Sequence, residues 1–132
     1  MLVDEFHFHR ARGLPLWERV GHPLDTLTVL LPFLLALTMP YHPALVTAYI
    51  GLSAFSCIFV TKDEFVHHDV CGAKEQWLHA ILFILHPLGF LTGAWIWMNP
   101  NFSFALWTQA AIIGLFLAYQ IFYWNFLSRK IV

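Results

Sequence analysis

The chain has 132 residues, of which 59% are hydrophobic, 17% aromatic and only 11% charged. A soluble domain of this size needs a largely polar surface, so the composition excludes one and points to an integral membrane protein. The net charge of -1 excludes the concentrated basic surface that nucleic-acid binding requires.

In chain order, residues 1–20 mix acids, Arg and His without a continuous apolar core, which is unlike a cleaved signal and suits a retained segment at the membrane interface. Its Phe6, Phe8, Leu14, Leu16, Trp17 and Val20 are the lipid-seeking positions, and Arg10, Arg12, Glu18 and Arg19 the water-seeking ones. Four apolar stretches follow, at about 23–39, 43–61, 76–98 and 104–127. Each approaches the ~20 residues that cross a bilayer as helix, the form that satisfies every backbone polar group in lipid. The spacing therefore predicts an all-α, four-helix membrane bundle in a single domain. Pro23 and Pro43 suit first turns, whereas Pro32 and Pro87 fall inside spans and predict kinks.

Every Lys and Arg lies outside these spans, and all on one side if the chain crosses four times. Arg10, Arg12 and Arg19 precede the first span, Lys62 and Lys74 join the second to the third, and Arg129 and Lys130 follow the fourth. The other two connections carry no charge. This bias places both termini in the cytosol. Cys57 and Cys71 are then poor disulfide candidates in a reducing compartment.

The stretch from Lys62 to Pro87 carries the chemistry. If the second helix continues into the cytosol to about Val70, a rod of ~40 Å, then Glu64, His67, His68 and Cys71 share one face at i, i+3, i+4 and i+7. Gly72 ends that helix, and Glu75 opens the next at the positive end of its dipole. Glu75 and His79 are i and i+4, so a tight hairpin sets them opposite Glu64, His67 and His68. These five are the expected metal ligands, with Glu64 or Glu75 doubling as a general base. A mixed N/O set suits a divalent metal, iron or zinc, with zinc favoured if Cys71 joins. His22, Asp25, Cys71, His86, His7 and His9 are further candidates. Asp25 also has an electrostatic reason to sit near a helix start, and His86 lies ~10 Å beyond His79 along the axis, too far to share its ion. His42 belongs to the opposite face.

Glu64-Phe-Val-His67-His68 resembles the His-x-x-His-His box of membrane fatty-acid desaturases and hydroxylases, with Glu in place of the first His. Glu75-Gln-Trp-Leu-His79 is similar to a His-x-x-x-His box with the same replacement. The resemblance covers about a fifth of the chain, and a third box is absent. It implies four spans, a di-metal site at the cytosolic face and oxygen-dependent modification of lipid chains.

The sequence thus leads to a membrane metalloenzyme that acts on a lipid or other apolar substrate at the cytosolic interface. Other readings are metal transport along the Glu75, His79, His86 stripe, haem binding through His86, or a non-catalytic assembly subunit. Transport through four short helices would call for a homo-oligomer, in which Gly89, Gly93 and Gly114 permit close approach. The topology is testable with fused reporters. A reporter after Val132 should be cytosolic and a tag within 99–103 reachable from outside; the opposite labelling would remove the ground for a cytosolic cluster.

Overall fold

The computed structural model describes residues 4–10, 13–65, 71–99, 101 and 103–127. A π-helical turn, Asp4–His9, leads into α1 (Leu16–Thr38), followed by α2 (Pro43–Phe59), a 3-10 turn (Val60–Asp63), α3 (Ala73–Met98), α4 (Ser103–Phe122) and a closing π-helical turn, Tyr123–Leu127. Four helices are long and apolar enough to cross a membrane, and the protein is an all-α four-helix membrane bundle. Its outer surface carries the large apolar side chains, among them Ile58, Trp77, Leu91, Phe104 and Leu115, as lipid rather than water as the neighbour requires.

Three boundaries differ from the sequence expectation. Helix α1 starts at Leu16, where Pro15 serves as N-cap in extended conformation, and Pro15 O accepts from Arg19 N at 3.1 Å. Pro23 is therefore interior to α1, together with Pro32, and the end of the expected interfacial segment is helix. The cause is an amphipathic first turn: Trp17 and Val20 face outward while Glu18 and Gly21 face the bundle. Second, α2 tightens into a 3-10 turn at Val60 instead of running on as one α-helix. Glu64 and Phe65 are helical again, but His67 and His68 lie outside the described residues, as does the shared face they were expected to form with Glu64 and Cys71. Third, α3 begins at Ala73, behind Gly72 as N-cap.

The first helix is the most enclosed of the four, packing chiefly on α4 and α2. The bundle has two unlike halves. In the half away from the N-terminal turn, Phe33 and Ala36 of α1, Tyr49 of α2, Phe90 and Trp97 of α3, and Leu106, Ala110 and Ile113 of α4 form a continuous apolar core. Aromatic polar atoms within it are satisfied: Tyr49 Oη donates to Phe90 O at 2.8 Å and Trp97 Nε1 to Met39 O at 2.7 Å.

The other half is polar inside. Thr26 Oγ1 donates to Gln120 Oε1 at 2.7 Å, joining α1 to α4. Thr28 Oγ1 donates to Asp25 O at 2.8 Å, which spends its proton; the 3.0 Å contact with Ser56 Oγ then has Ser56 as donor. Ser56 in turn accepts from His86 Nε2 at 3.1 Å. This one-way chain fixes the His86 tautomer, satisfies the hydroxyls of Thr28 and Ser56, and ties α1, α2 and α3 together.

One glycine is required by the packing. A Cβ at Gly93 would stand 2.8 Å from Tyr49 Oη and 3.0 Å from Phe33 Cε1, and Tyr49 is held by its bond to Phe90 and by stacking on Trp97 at 5.5 Å. Gly93 thus serves the approach of α3 to α1 and α2, whereas Gly89 and Gly114 have nothing within 4 Å of such a Cβ. Gly93→Ala should destabilise the bundle by about 1–3 kcal/mol and Gly114→Ala should not. Thermal unfolding in mild detergent would reveal equal midpoints for the two variants if this packing account were wrong.

Candidate metal centre

At the polar end the N-terminal turn folds back over the helices and delivers His9 between them. His9 is 1% exposed, an unusual environment for an imidazole. Two groups of possible ligands meet there. His9, Glu75 and His79 each place one ligand atom within 4.8 Å of the others, and so do His9, Glu18 and His22. Two donors ~2.1 Å from one ion are at most ~4.2 Å apart, so both triads stand within side-chain adjustment of a coordination sphere.

The construction is periodic. Glu18 and His22 occupy one face of α1, and Glu75 and His79 one face of α3, each pair at i and i+4. Glu5 and His9 have the same spacing on the π-helical turn, whose wider bonding stacks residues in this way. Glu18 and Glu75 lie in the first turns of their helices, where the dipole favours a carboxylate. The imidazole of His9 stacks on that of His22, with centroids 4.7 Å apart.

His9 is oriented from both ring nitrogens. Its Nδ1 lies 3.6 Å from Glu5 Oε2 and its Nε2 3.8 Å from Glu75 Oε1. A carboxylate behind one nitrogen of a ligating His fixes the ring and raises its basicity, and Glu5 holds that position. Glu5 is itself anchored by a short hydrogen bond from Trp124 Nε1. Burial pushes the Glu5 carboxyl up, but the hydrogen bonds from His9 and Trp124 and the nearby His9 and His22 imidazoles outweigh it, so the net direction is below the ordinary value. Glu5 is thereby held as a carboxylate.

Of the residues expected from sequence, Glu75 and His79 are in the centre, and His9 and His22 join them. Asp25 lies at its edge: Lys62 Nζ donates to its Oδ1 at 2.6 Å, and His22 Nδ1 is 3.9 Å from its Oδ2. His86 is occupied by Ser56 and packs edge-on against Phe90. His7 is exposed beside Phe8, Glu64 is exposed, and Cys71 is half-buried near the start of α3, outside both triads. His42 caps α2 at the far end, its Nδ1 accepting from Ala44 N at 3.2 Å. Sequence reasoning missed Glu18 and Glu5. The repeated Glu-x-x-x-His spacing at 5/9, 18/22 and 75/79 was the signal that could have found them.

No family model matches the chain, and neither a curated protein nor a solved structure matches it. The geometry of the centre is accordingly the ground for any functional reading.

Because Asp25 pairs with Lys62 beside the triads and belongs to neither, Lys62→Met should destabilise the bundle by about 1–3 kcal/mol by leaving a buried carboxylate without its cation. Asp25→Asn combined with Lys62→Met should cost less than the sum of the single changes. A double-mutant cycle by denaturant titration reads the coupling, and strict additivity would contradict the pairing.

Proposed function

We propose that the protein is a membrane metalloenzyme whose Glu/His centre, at the cytosolic face, acts on a lipid or another apolar substrate. The observation that carries this reading is the convergence of His9, Glu18, His22, Glu75 and His79 from three separate segments into one buried end of the bundle. Helix packing and topology do not call for such a set. Buried carboxylates are costly in an apolar bundle, and that cost favours a structure in which a cation is the natural counterpart. At a membrane boundary, such a centre would lie near both polar lipid headgroups and apolar chains.

The donors define the chemistry. Imidazole and carboxylate without thiolate suit iron or zinc held for reactivity rather than the Cys-rich sets of structural zinc. A bound ion would supply Lewis acidity. Glu75, in contact with His9 Nε2 and sharing a triad with His79, is placed either to ligate or to take a proton from water or a substrate hydroxyl. Glu18 has the equivalent relation to His22. Glu5 keeps His9 oriented.

Transport is the second reading with an observation in its favour. The chain His86–Ser56–Thr28 leads from the middle of the bundle to the backbone of Asp25 beside the centre, a polar trail that an ion or proton pathway would use. His86 then has a role separate from the metal centre, and His86→Ala would impair translocation in proteoliposomes while metal content stays whole.

Elemental analysis of the protein purified gently into nanodiscs tests the main reading. At least one iron or zinc per chain is expected, and His79→Ala should weaken retention by ten-fold or more, since loss of even a group supporting a ligand costs ~10–100-fold. His42→Ala should leave metal untouched. Lipid extracts from cells expressing wild type but not His79→Ala should contain a modified species. A wild-type protein without stoichiometric metal, even after reconstitution with Fe2+ or Zn2+, would defeat the reading.

A further inference from the structure

We propose that the N-terminal turn is a latch operated by the metal: an ion bound at His9 fastens the turn across the mouth of the centre, and loss of the ion releases it. The inference rests on the metal-centre reading above and adds the regulation of that site.

Four ligand residues, Glu18, His22, Glu75 and His79, are fixed on helices that span the bundle. His9 alone among the triad residues comes from outside them, and it belongs to both triads. An ion bound in either triad therefore bonds the turn to a helix, α1 or α3. Beside the stack of His9 on His22, the turn is tied to the closing π-helical turn and the end of α4. Glu5 accepts from Trp124, Arg10 Nε donates to Tyr123 Oη at 3.1 Å, and Phe6 lies 5.1 Å from the ring of Tyr119. The Arg10 bond is exposed, and exposed contacts of this kind contribute little against water.

The geometry also supplies a pivot. Gly13 has φ +76°, the left-handed region that glycine adopts without steric cost, and a Cβ there would meet nothing within 4 Å. Its N–H donates to His9 O at 2.8 Å, which ties this glycine directly to the residue that bears the ligand. Movement about Gly13 lifts Glu5 and His9 together, uncovering Glu18, which is 0% exposed, and Glu75, at 4%. Opening is opposed by the ion through its bond to His9 and favoured by rehydration of these buried carboxylates. In the ion's absence, carboxylates from three segments share one buried region, and a cation there would offset their charge. A cation held only in the closed state shifts the equilibrium toward closure by about 100-fold at a free concentration 100 times its dissociation constant.

Such a latch couples occupancy to access: the metal-loaded centre is shielded from water, whereas the metal-free centre is open to metal delivery. The test is hydrogen exchange of the full-length protein in nanodiscs, read on the peptide covering residues 1–13, with and without Zn2+, metal content being measured on the same samples. Exchange in that peptide should slow by at least ten-fold on loading while peptides from the middle of α4 stay unchanged. Trp124→Phe removes the strongest tie that does not involve metal, so its peptide should exchange faster than wild type without Zn2+ and return to the protected rate with it. Stoichiometric Zn2+ with unchanged exchange of residues 1–13 overturns the latch and leaves the metal centre standing. Failure to take up Zn2+ at all overturns both.

Discussion

Charge compensation in a place with little water is the constraint on which this structure depends. Glu5, Glu18 and Glu75 are each at most 4% exposed, and His9 and His79 at most 6%. An isolated carboxylate in such surroundings costs several kcal/mol even after relaxation. The chain meets the cost by opposing each Glu with a His four residues later and by converging the pairs from three segments. The arrangement dictates where α1 and α3 start, since a carboxylate in the first turn is also favoured by the helix dipole. It also explains why Glu5 and His9 are buried as deeply as core residues.

The two halves of the bundle divide the labour. In the far half, close approach at Gly93 and the stack of Tyr49 on Trp97 lock the helices by shape. Within lipid, shape and van der Waals contact are the available forces, because burial of apolar surface gains nothing against an apolar solvent. In the near half, the hydrogen bonds Thr26 to Gln120 and His86 to Ser56 to Thr28 take over. They set rotation and axial register where side chains are too polar to be positioned by shape. Positional precision at the centre follows from both, since a ligand pair moves with its helix.

Much of this was legible in the sequence. Apolar runs of span length gave the four helices, and the interior Pro87 and the i, i+4 relation of Glu75 to His79 were direct consequences of helical periodicity. The start of α1 was hidden because Glu18, Arg19 and His22 interrupt the apolar pattern that marks a span; they do so because that turn faces a polar centre instead of lipid. The partner of His86 was hidden for another reason. Periodicity tells which face a residue occupies but not how far one helix slides along the next, and that slide is set by contacts such as Tyr49 against Gly93. The burial of His9 was the hardest to read, since only Glu5 four residues before it distinguishes it from exposed His7.

The placement of ligands along the chain has a consequence for assembly. Glu18 and His22 arrive with the first span and Glu75 and His79 with the third, so the halves of the centre meet only when α1 and α3 pack. The N-terminal turn docks last in this order. Its anchors, Trp124 and Tyr123, lie beyond α4 and are in place only once the fourth helix has packed. A centre closed by His9 is therefore complete only after every helix is in place. An ion held there would make metal affinity and packing one equilibrium, because each triad needs the N-terminal turn docked against a helix.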